Sequence, residues 1–549
     1  MNQKLRILFN TEASFLNSGF ANYTRELISR LYDSGKYELA ELASYGFVND
    51  PRDQIIRWKY YANAVKKDDP RFNAYNSNGE NQFGKWRFDK TVLDFKPHVV
   101  VDVRDYWMSS YVKNSPLRDR FNWVLMPTVD SAPQQEPWLD TFLSADAIFT
   151  YSDWGADVLK KQTKNKINYI DTASPGVNTT VFHPLNRQEV RNALQIKQDA
   201  IIIGSVMRNQ KRKLLPELIS SFSKCLEKTD NKELKSKLFL YLHSSYPDMG
   251  WDIPELLKDH KVSNKVLFTY KCATCNKILC RTFAGTQIVC PHCLNRNVTL
   301  SSVTNGVTEN ELCAIYNIFD IYVQYAICEG FGMPQVEAGA CGVPLCTVRY
   351  SAMEDIIQKL NAYPINAAVH FKEMETKAIR VYPQNEELVE HIMRFVSSPE
   401  EMREKKRKKV RDLTVKHYNW ENIALKWQKY FDSLSIEKLE QQQTIKLNHH
   451  QPVKYSSHNM ANISYMINLI KNHSYLSRRL DMGYLFELLK NVDYGFEQTG
   501  SRISPYTMSN AVDVMNNFIE YNNMVKNIED SQAYTQEDFI QYAHLKSSI

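Results

Sequence analysis

Short apolar runs alternate with stretches of helical spacing in two successive series, and this pattern limits the possible folds more than any other feature of the chain. The first series offers Leu5–Asn10, His98–Val103, Trp123–Met126 and Ala147–Thr150 as strand candidates. The second offers Ala200–Val206, Leu238–His243, Lys265–Tyr270, Ile321–Gln324 and Val343–Thr347. After the first run, a loop containing Ser18-Gly19 leads into a stretch whose Phe20, Tyr23, Leu27, Ile28 and Leu31 recur at helical spacing. Strand, glycine loop and helix is the opening unit of a parallel α/β domain. A Pro-Gly break at Ser174-Pro175-Gly176-Val177-Asn178 separates the two series and reads as a hinge. The expected fold class is therefore α/β, with Rossmann-like domains over residues 1–185 and 186–434. Such domains bind ligands at the carboxyl ends of their strands, and a cleft between the two is the expected site.

Length and composition agree. At 549 residues the chain exceeds one ordinary domain, and 43% hydrophobic residues suffice for well-formed cores. A net charge of +6 is too small for this length to predict a polyanionic partner by itself. No run of 18 apolar residues suggests a membrane span. The start Met1-Asn2-Gln3-Lys4-Leu5-Arg6-Ile7 lacks a signal-peptide pattern, so a cytoplasmic protein is expected. Two pieces fall outside the two-domain scheme. Residues 271–300 interrupt the second series, and a helix-rich extension at 455–549 follows the polar stretch around Gln441-Gln442-Gln443 and His449-His450. In that extension Met508, Val512, Met515 and Ile519 share a helical face, which reads as packing.

The interruption carries a metal signature. Cys272-x-x-Cys275, fourteen residues, then Cys290-x-x-Cys293 is the spacing of a four-thiolate zinc ribbon. Each Cys-x-x-Cys turn presents two sulfurs, and a closed four-sulfur shell makes the zinc structural. Cys280 and His292 read as non-ligands. Lys271, Lys277, Arg281 and Arg296 make the segment basic, with no Asp or Glu in it. Residues 52–96 interleave bases and rings, as in Arg57-Trp58-Lys59-Tyr60-Tyr61. Such a pattern can stack on nucleobases, but packing against the domain is the preferred reading.

The chemistry concentrates in Glu329-Gly330-Phe331-Gly332-Met333-Pro334-Gln335-Val336-Glu337. Two carboxylates flank a glycine turn at the start of a helix, whose free N–H groups suit an anion between them. Gly204-Ser205-Val206-Met207-Arg208 ends a strand, and Lys213 follows shortly after. A guanidinium and an ammonium at such a junction would neutralise charge growing on a leaving diphosphate.

Together these pieces resemble the GT-B-fold retaining glycosyltransferases of family 4 (group 1). The motifs are Ser18-Gly19-Phe20, Pro175-Gly176-Val177-Asn178 with Phe182 and Pro184, Arg208-Asn209-Gln210 through Lys213, and Leu240-Tyr241-Leu242-His243. Cys328 through Pro334 with Glu337-Ala338, then Gly342-Val343-Pro344 and Tyr418-Asn419-Trp420-Glu421, complete the family's order. The resemblance implies that Glu329 bonds donor-sugar hydroxyls, Glu337 holds the ribose, and Arg208 and Lys213 clamp the diphosphate. It gives Gly19 a close backbone approach to that diphosphate and the amides of Phe331, Gly332 and Met333 the rest of the anion site. It implies a UDP- or GDP-sugar donor, hexosyl or pentosyl transfer with retention, and no catalytic metal, in keeping with the lack of an Asp-x-Asp pair. Where many relatives carry a histidine, Thr128-Val129-Asp130-Ser131 offers Asp130, either catalytic or a loop aspartate. Asp102 and Asp105 are weaker candidates, with an Arg104–Asp105 structural pair expected. The acceptor is left open. A hydroxylated base in viral DNA, modified by a phage-type enzyme in the host cytoplasm, stands beside a polysaccharide, lipid-linked glycan or protein. A non-catalytic protein binding a nucleotide sugar or nucleic acid is the remaining reading.

Overall fold

The structure is a computed structural model that describes residues 3–115, 117–302 and 305–443. The expected 455–549 extension, with its Met508–Ile519 stripe, lies outside the described residues. The chain divides into two compact units. Among the described residues, one comprises 3–127, Asp140–Ile148 and 428–443; the other comprises Thr128–Leu139 and Phe149–Trp427.

The first sheet contains β1 (Leu5–Glu12), β2 (Tyr37–Ser44), β3 (Lys59–Ala62), β4 (Val99–Val103), β5 (Asn122–Met126), β6 (Ala147–Thr150) and β7 (Tyr169–Thr172), in the order β3-β2-β1-β4-β5-β6-β7. β1 pairs in parallel with β2 and β4, so the winding reverses at β1, the switch point of a doubly wound fold. The helix Gly19–Asp33 follows β1 and starts where Ser18 Oγ accepts a hydrogen bond from Ala21 N–H. It buries Tyr23, Leu27, Ile28 and Leu31, the face read from their spacing. β3 was not expected as a strand. Its Tyr61 is buried, and neighbouring Trp58 is buried with its indole N–H on Glu41 Oε2 at 2.8 Å. The rings of this segment pack the sheet edge, as preferred.

The second sheet lies in the other unit. Its strands are β8 (Ile201–Val206), β9 (Leu238–His243), β10 (Val266–Cys272), β11 (Ile278–Thr282), β12 (Gln287–Ile288), β13 (Val298–Leu300), β14 (Ile321–Gln324), β15 (Leu345–Val348) and β16 (Tyr363–Ile365). The order is β12-β13-β10-β9-β8-β14-β15-β16, with β11 also on β10. β8 pairs in parallel with β9 and β14, so the switch point falls between the ends of β8 and β14. A hairpin of β17 (Ala367–Lys372) and β18 (Ile379–Pro383) forms a small separate sheet. The four-cysteine segment continues the main sheet: β10 ends at Cys272 itself, and β13 and β11 pair with it antiparallel.

At the hinge read from sequence, Val177 N–H donates to Tyr418 O at 2.9 Å. A Cβ on Gly176 would lie 2.7 Å from the Trp420 backbone nitrogen, so only glycine lets the two segments touch.

Candidate active site

The loops leaving β8 and β14 meet at the switch point, where Ile327 N–H donates to Arg212 O at 3.0 Å. Gly332, at φ +91°, turns the second loop into the helix Met333–Ala340, and a Cβ there would be strained and crowd Gln335. A Cβ on Gly330 would lie 2.4 Å from Thr128 Cγ2. These two glycines let the loop pass tightly behind Glu329.

Glu329 is 5% exposed, and four groups hold it. Lys213 Nζ contacts Oε1 directly, Arg212 Nη1 lies 3.2 Å from Oε2, and Gln324 Nε2 donates to Oε1 at 2.5 Å. The Glu329 backbone N–H donates to Ser351 Oγ at 2.9 Å. Burial by itself would raise this carboxyl, but the Lys213 and Arg212 charges outweigh it and hold the group below its ordinary range. Burial lowers the Lys213 ammonium against the pull of Glu329. Gln324 is fixed in turn by Tyr322 OH, which donates to its Oε1 at 2.6 Å.

The other expected residues take separate places. Arg208 is half-exposed and forks onto Asp248 through Nη2 at 2.8 Å and Nε at 3.2 Å. That bond draws the Asp248 carboxyl down to about 2. Glu337, on the helix Met333–Ala340, accepts from Tyr316 OH at 2.7 Å. Burial pushes its carboxyl up to about 7. Phe331 is buried edge-on to Tyr418 at 5.5 Å, and Met333 opens the helix. Asp130 pairs with Arg380, Oδ1 to Nη1 at 2.9 Å, while Cys328 Sγ lies 3.5 Å from Oδ2. Gly19 belongs to the other unit and opens the helix Gly19–Asp33; a Cβ there would meet nothing within 4 Å.

Sequence reasoning missed Arg212, Gln324 and Arg380. Arg212 lay in a basic run that alone reads as a solvated face, and Gln324 was the polar end of an apolar strand. Nothing in sequence flagged Arg380. The Arg104–Asp105 pair is corrected: Arg104 Nη2 bonds Asp102 Oδ1 at 2.5 Å, and both are fully buried. Asp102 also accepts from Trp123 Nε1 at 2.7 Å and Asn10 Nδ2 at 2.9 Å, because a buried carboxylate needs every lone pair met.

The thiols of Cys272, Cys275, Cys290 and Cys293 all lie within 4.8 Å of one another. The Cys272–Cys293 and Cys275–Cys290 sulfurs are 3.6 Å apart. A tetrahedral zinc with bonds of about 2.3 Å spaces its sulfurs by about 3.8 Å, so the donor set is compatible with zinc. Backbone amides, that of Cys275 foremost, draw the Cys272 thiol down to about 6. Cys280 stands apart with its Sγ 3.0 Å from Tyr241 OH.

Residues 294–413 match the family described as glycosyl transferases group 1. No curated protein matches the chain. Among solved structures, the chain is similar to a sucrose-phosphate synthase from Thermosynechococcus elongatus, at 15% identity and TM-score 0.56 over 78% of this chain and 98% of that one. It is similar to a glycosyltransferase from Rickettsia africae, at 13% identity and TM-score 0.53 over 78% and 98%. A third similar structure is Anabaena HepE in complex with UDP and glucose, at 11% identity and TM-score 0.53 over 78% and 100%. At these identities the likeness establishes the fold. The chain has the α/β GT-B fold, and its residues 294–413, which match the glycosyl transferases group 1 family, contain Glu329 and Glu337.

Proposed function

We propose that the protein is a retaining glycosyltransferase of family 4 type, moving a sugar from a UDP- or GDP-sugar to an acceptor hydroxyl. The observation that carries this reading is the buried Glu329–Lys213 pair, with half-exposed Arg212 on its other oxygen, at the switch point of the second sheet, inside and beside the matched segment. A carboxylate and two cations at strand carboxyl ends suit a sugar hydroxyl and a diphosphate. The similar HepE structure, in complex with UDP and glucose, supports the donor class.

In this reading Glu329 bonds hydroxyls of the donor sugar, and Glu337 bonds the ribose. Arg208 and Lys213 hold the diphosphate, with the amides of Phe331, Gly332 and Met333. Asp130 orients a sugar hydroxyl or stabilises positive charge at the anomeric carbon. The acceptor oxygen bonds to the anomeric carbon while the bond to the diphosphate oxygen breaks, and the acceptor proton passes to the departing phosphate. The cations act on charge that grows during this step, so they favour the transition state over the bound donor. Cys272, Cys275, Cys290 and Cys293 hold a structural zinc that supplies a cross-link and no chemistry.

For the acceptor, the ribbon favours a polyanion such as DNA with hydroxylated bases. Lys277 and Arg296 are exposed there without a carboxylate in the segment, whereas Lys271 is buried on Glu311 at 2.9 Å and drops out. A mass-spectrometric screen of UDP- and GDP-sugars tests the reading against hydroxylated DNA, glycan, lipid-linked glycan and protein acceptors. The expected result is nucleotide release with one acceptor gaining a sugar mass. Glu329→Ala should cut that turnover by about 100-fold or more. No turnover with any donor would leave the binding-only reading standing, and full turnover by Glu329→Ala would remove the role given to that residue.

A further inference from the structure

The hairpin β17–β18 lies within the matched segment 294–413 but carries none of the motifs read from sequence, yet it is tied to three loops that carry the candidate residues. Arg380 on β18 is 5% exposed, and its Nη1 donates both to Asp130 Oδ1 and to the Asp130 backbone oxygen, each at 2.9 Å. Its Nε lies 3.2 Å from Glu373 Oε2 on the same hairpin, which fixes the guanidinium plane. Tyr350 OH donates to Ile379 O at 2.8 Å and accepts from Ala132 N–H at 3.2 Å, a second tie between the hairpin and the Asp130 loop. The hairpin turn also receives Gln135 Nε2 on Thr376 O. On the Glu329 loop, Val381 N–H donates to Ile327 O at 3.2 Å. On the basic loop after β8, Lys211 Nζ bonds Glu375 Oε1 at 2.9 Å.

Those ties decide what Asp130 can do. With Oδ1 and its carbonyl held by one guanidinium, the carboxylate has a single orientation, and Oδ2 points toward Cys328, the residue before Glu329. A buried guanidinium, anchored by Glu373 and bound through Nη1 to two oxygens of Asp130, fixes geometry as well as charge, which a lone loop aspartate would lack.

We propose that Arg380 is a positioning residue, and that the hairpin Ala367–Pro383 holds Asp130 in register with Glu329 so that both carboxylates meet one donor sugar. The inference rests on the glycosyl-transfer reading above. It assigns Arg380 no contact with substrate; its effect passes through Asp130.

The test is a double-mutant cycle on donor turnover, using the full-length protein and the donor found in the screen. Arg380→Met should lower kcat by about 30-fold or more while donor KM changes by less than about 3-fold, since ordering and not binding is lost. Arg380→Lys should recover part of the rate. In an Asp130→Asn background, Arg380→Met should cost almost nothing further. Tyr350→Phe cuts the second tie with little loss of packing and should lower kcat in the same sense, so the idea remains testable if Arg380→Met does not fold. Multiplying effects of Arg380→Met and Asp130→Asn would overturn the proposal, as would an unchanged kcat in both Arg380→Met and Tyr350→Phe. If the wild-type protein turns over no nucleotide sugar, the glycosyl-transfer reading fails first and this inference falls with it. Turnover in the wild type with multiplying effects sinks the inference alone.

Discussion

Arg208 shows how one residue's partner can set the behaviour of a site. Its guanidinium is spent on Asp248, although the proposed function needs it on a diphosphate. Asp248 is itself held by Ser245 Oγ and by Met249 N–H at 2.8 Å, so Arg208 must leave a preorganised counter-ion to bind an anion. With Arg208 half-exposed, breaking the pair costs at most about 1 kcal/mol. Asp248→Asn keeps the oxygen for Met249 N–H but removes the competing charge. It should tighten UDP binding by up to about 5-fold in calorimetry, and unchanged or weaker binding would exclude Asp248 as a competitor. Glu329 is in a similar state, already paired with Lys213 and Arg212. Sequence pointed to Arg208, Lys213 and Glu329 through their places relative to strands. It could not show that Arg208 pairs with Asp248 or Glu329 with Lys213, because these partners are remote from them along the chain.

Among the elements, β10 serves two structures at once. Its Phe268 pairs in register with Leu242 of β9, Thr269 Oγ1 meets His243 Nδ1 at 2.9 Å, and its last residue is Cys272. A metal bound at that cysteine would thus be linked through one strand to the end of β9. The purified protein should carry about one zinc per chain by elemental analysis. Chelation should speed amide exchange over residues 266–300 while β8, with parallel partners on both sides, stays protected. Exchange in 266–300 that ignores the chelator would show that the sheet alone orders the ribbon. The segment was legible from its cysteine spacing, since ligand geometry is a local property. Its fusion to the sheet was not, because nothing in Cys272-x-x-Cys275 says that the strand before it runs into the four-cysteine cluster. β3 escaped notice for the opposite reason: Lys59-Tyr60-Tyr61 reads as polar and aromatic, and only the Glu41–Trp58 bond and the sheet edge turn it inward.

On the scale of the whole molecule, the second unit is closed by a charge cluster that no local pattern announces. Asp320 accepts Arg187 Nη2 and Arg191 Nη2 at 2.9 Å and Arg407 Nη2 at 3.0 Å, together with Ile202 N–H at 2.8 Å. Those partners come from the helices Arg187–Ala193 and Glu400–His417 and from β8. Burial raises the cost of the Asp320 charge, and the arginines, Arg187 foremost, bring its carboxyl below the ordinary range. Asp320→Asn would leave three guanidiniums around a neutral amide and should destabilise the protein by about 3–5 kcal/mol in denaturant unfolding. A loss under about 1 kcal/mol would mean that the cluster is solvated.

The sequence alone determined the parallel α/β class, the positions of nine of the strands across both series, the four-cysteine cluster and the carboxylate pair around the glycine turn. These depend on periodicity, spacing and backbone freedom, which act over a few residues. Only the tertiary structure decided that Arg104 answers Asp102, that Arg380 holds Asp130, and that Asp320 gathers three arginines. A buried charge takes whichever opposite charge the packing brings within reach, and the sequence holds no record of that distance.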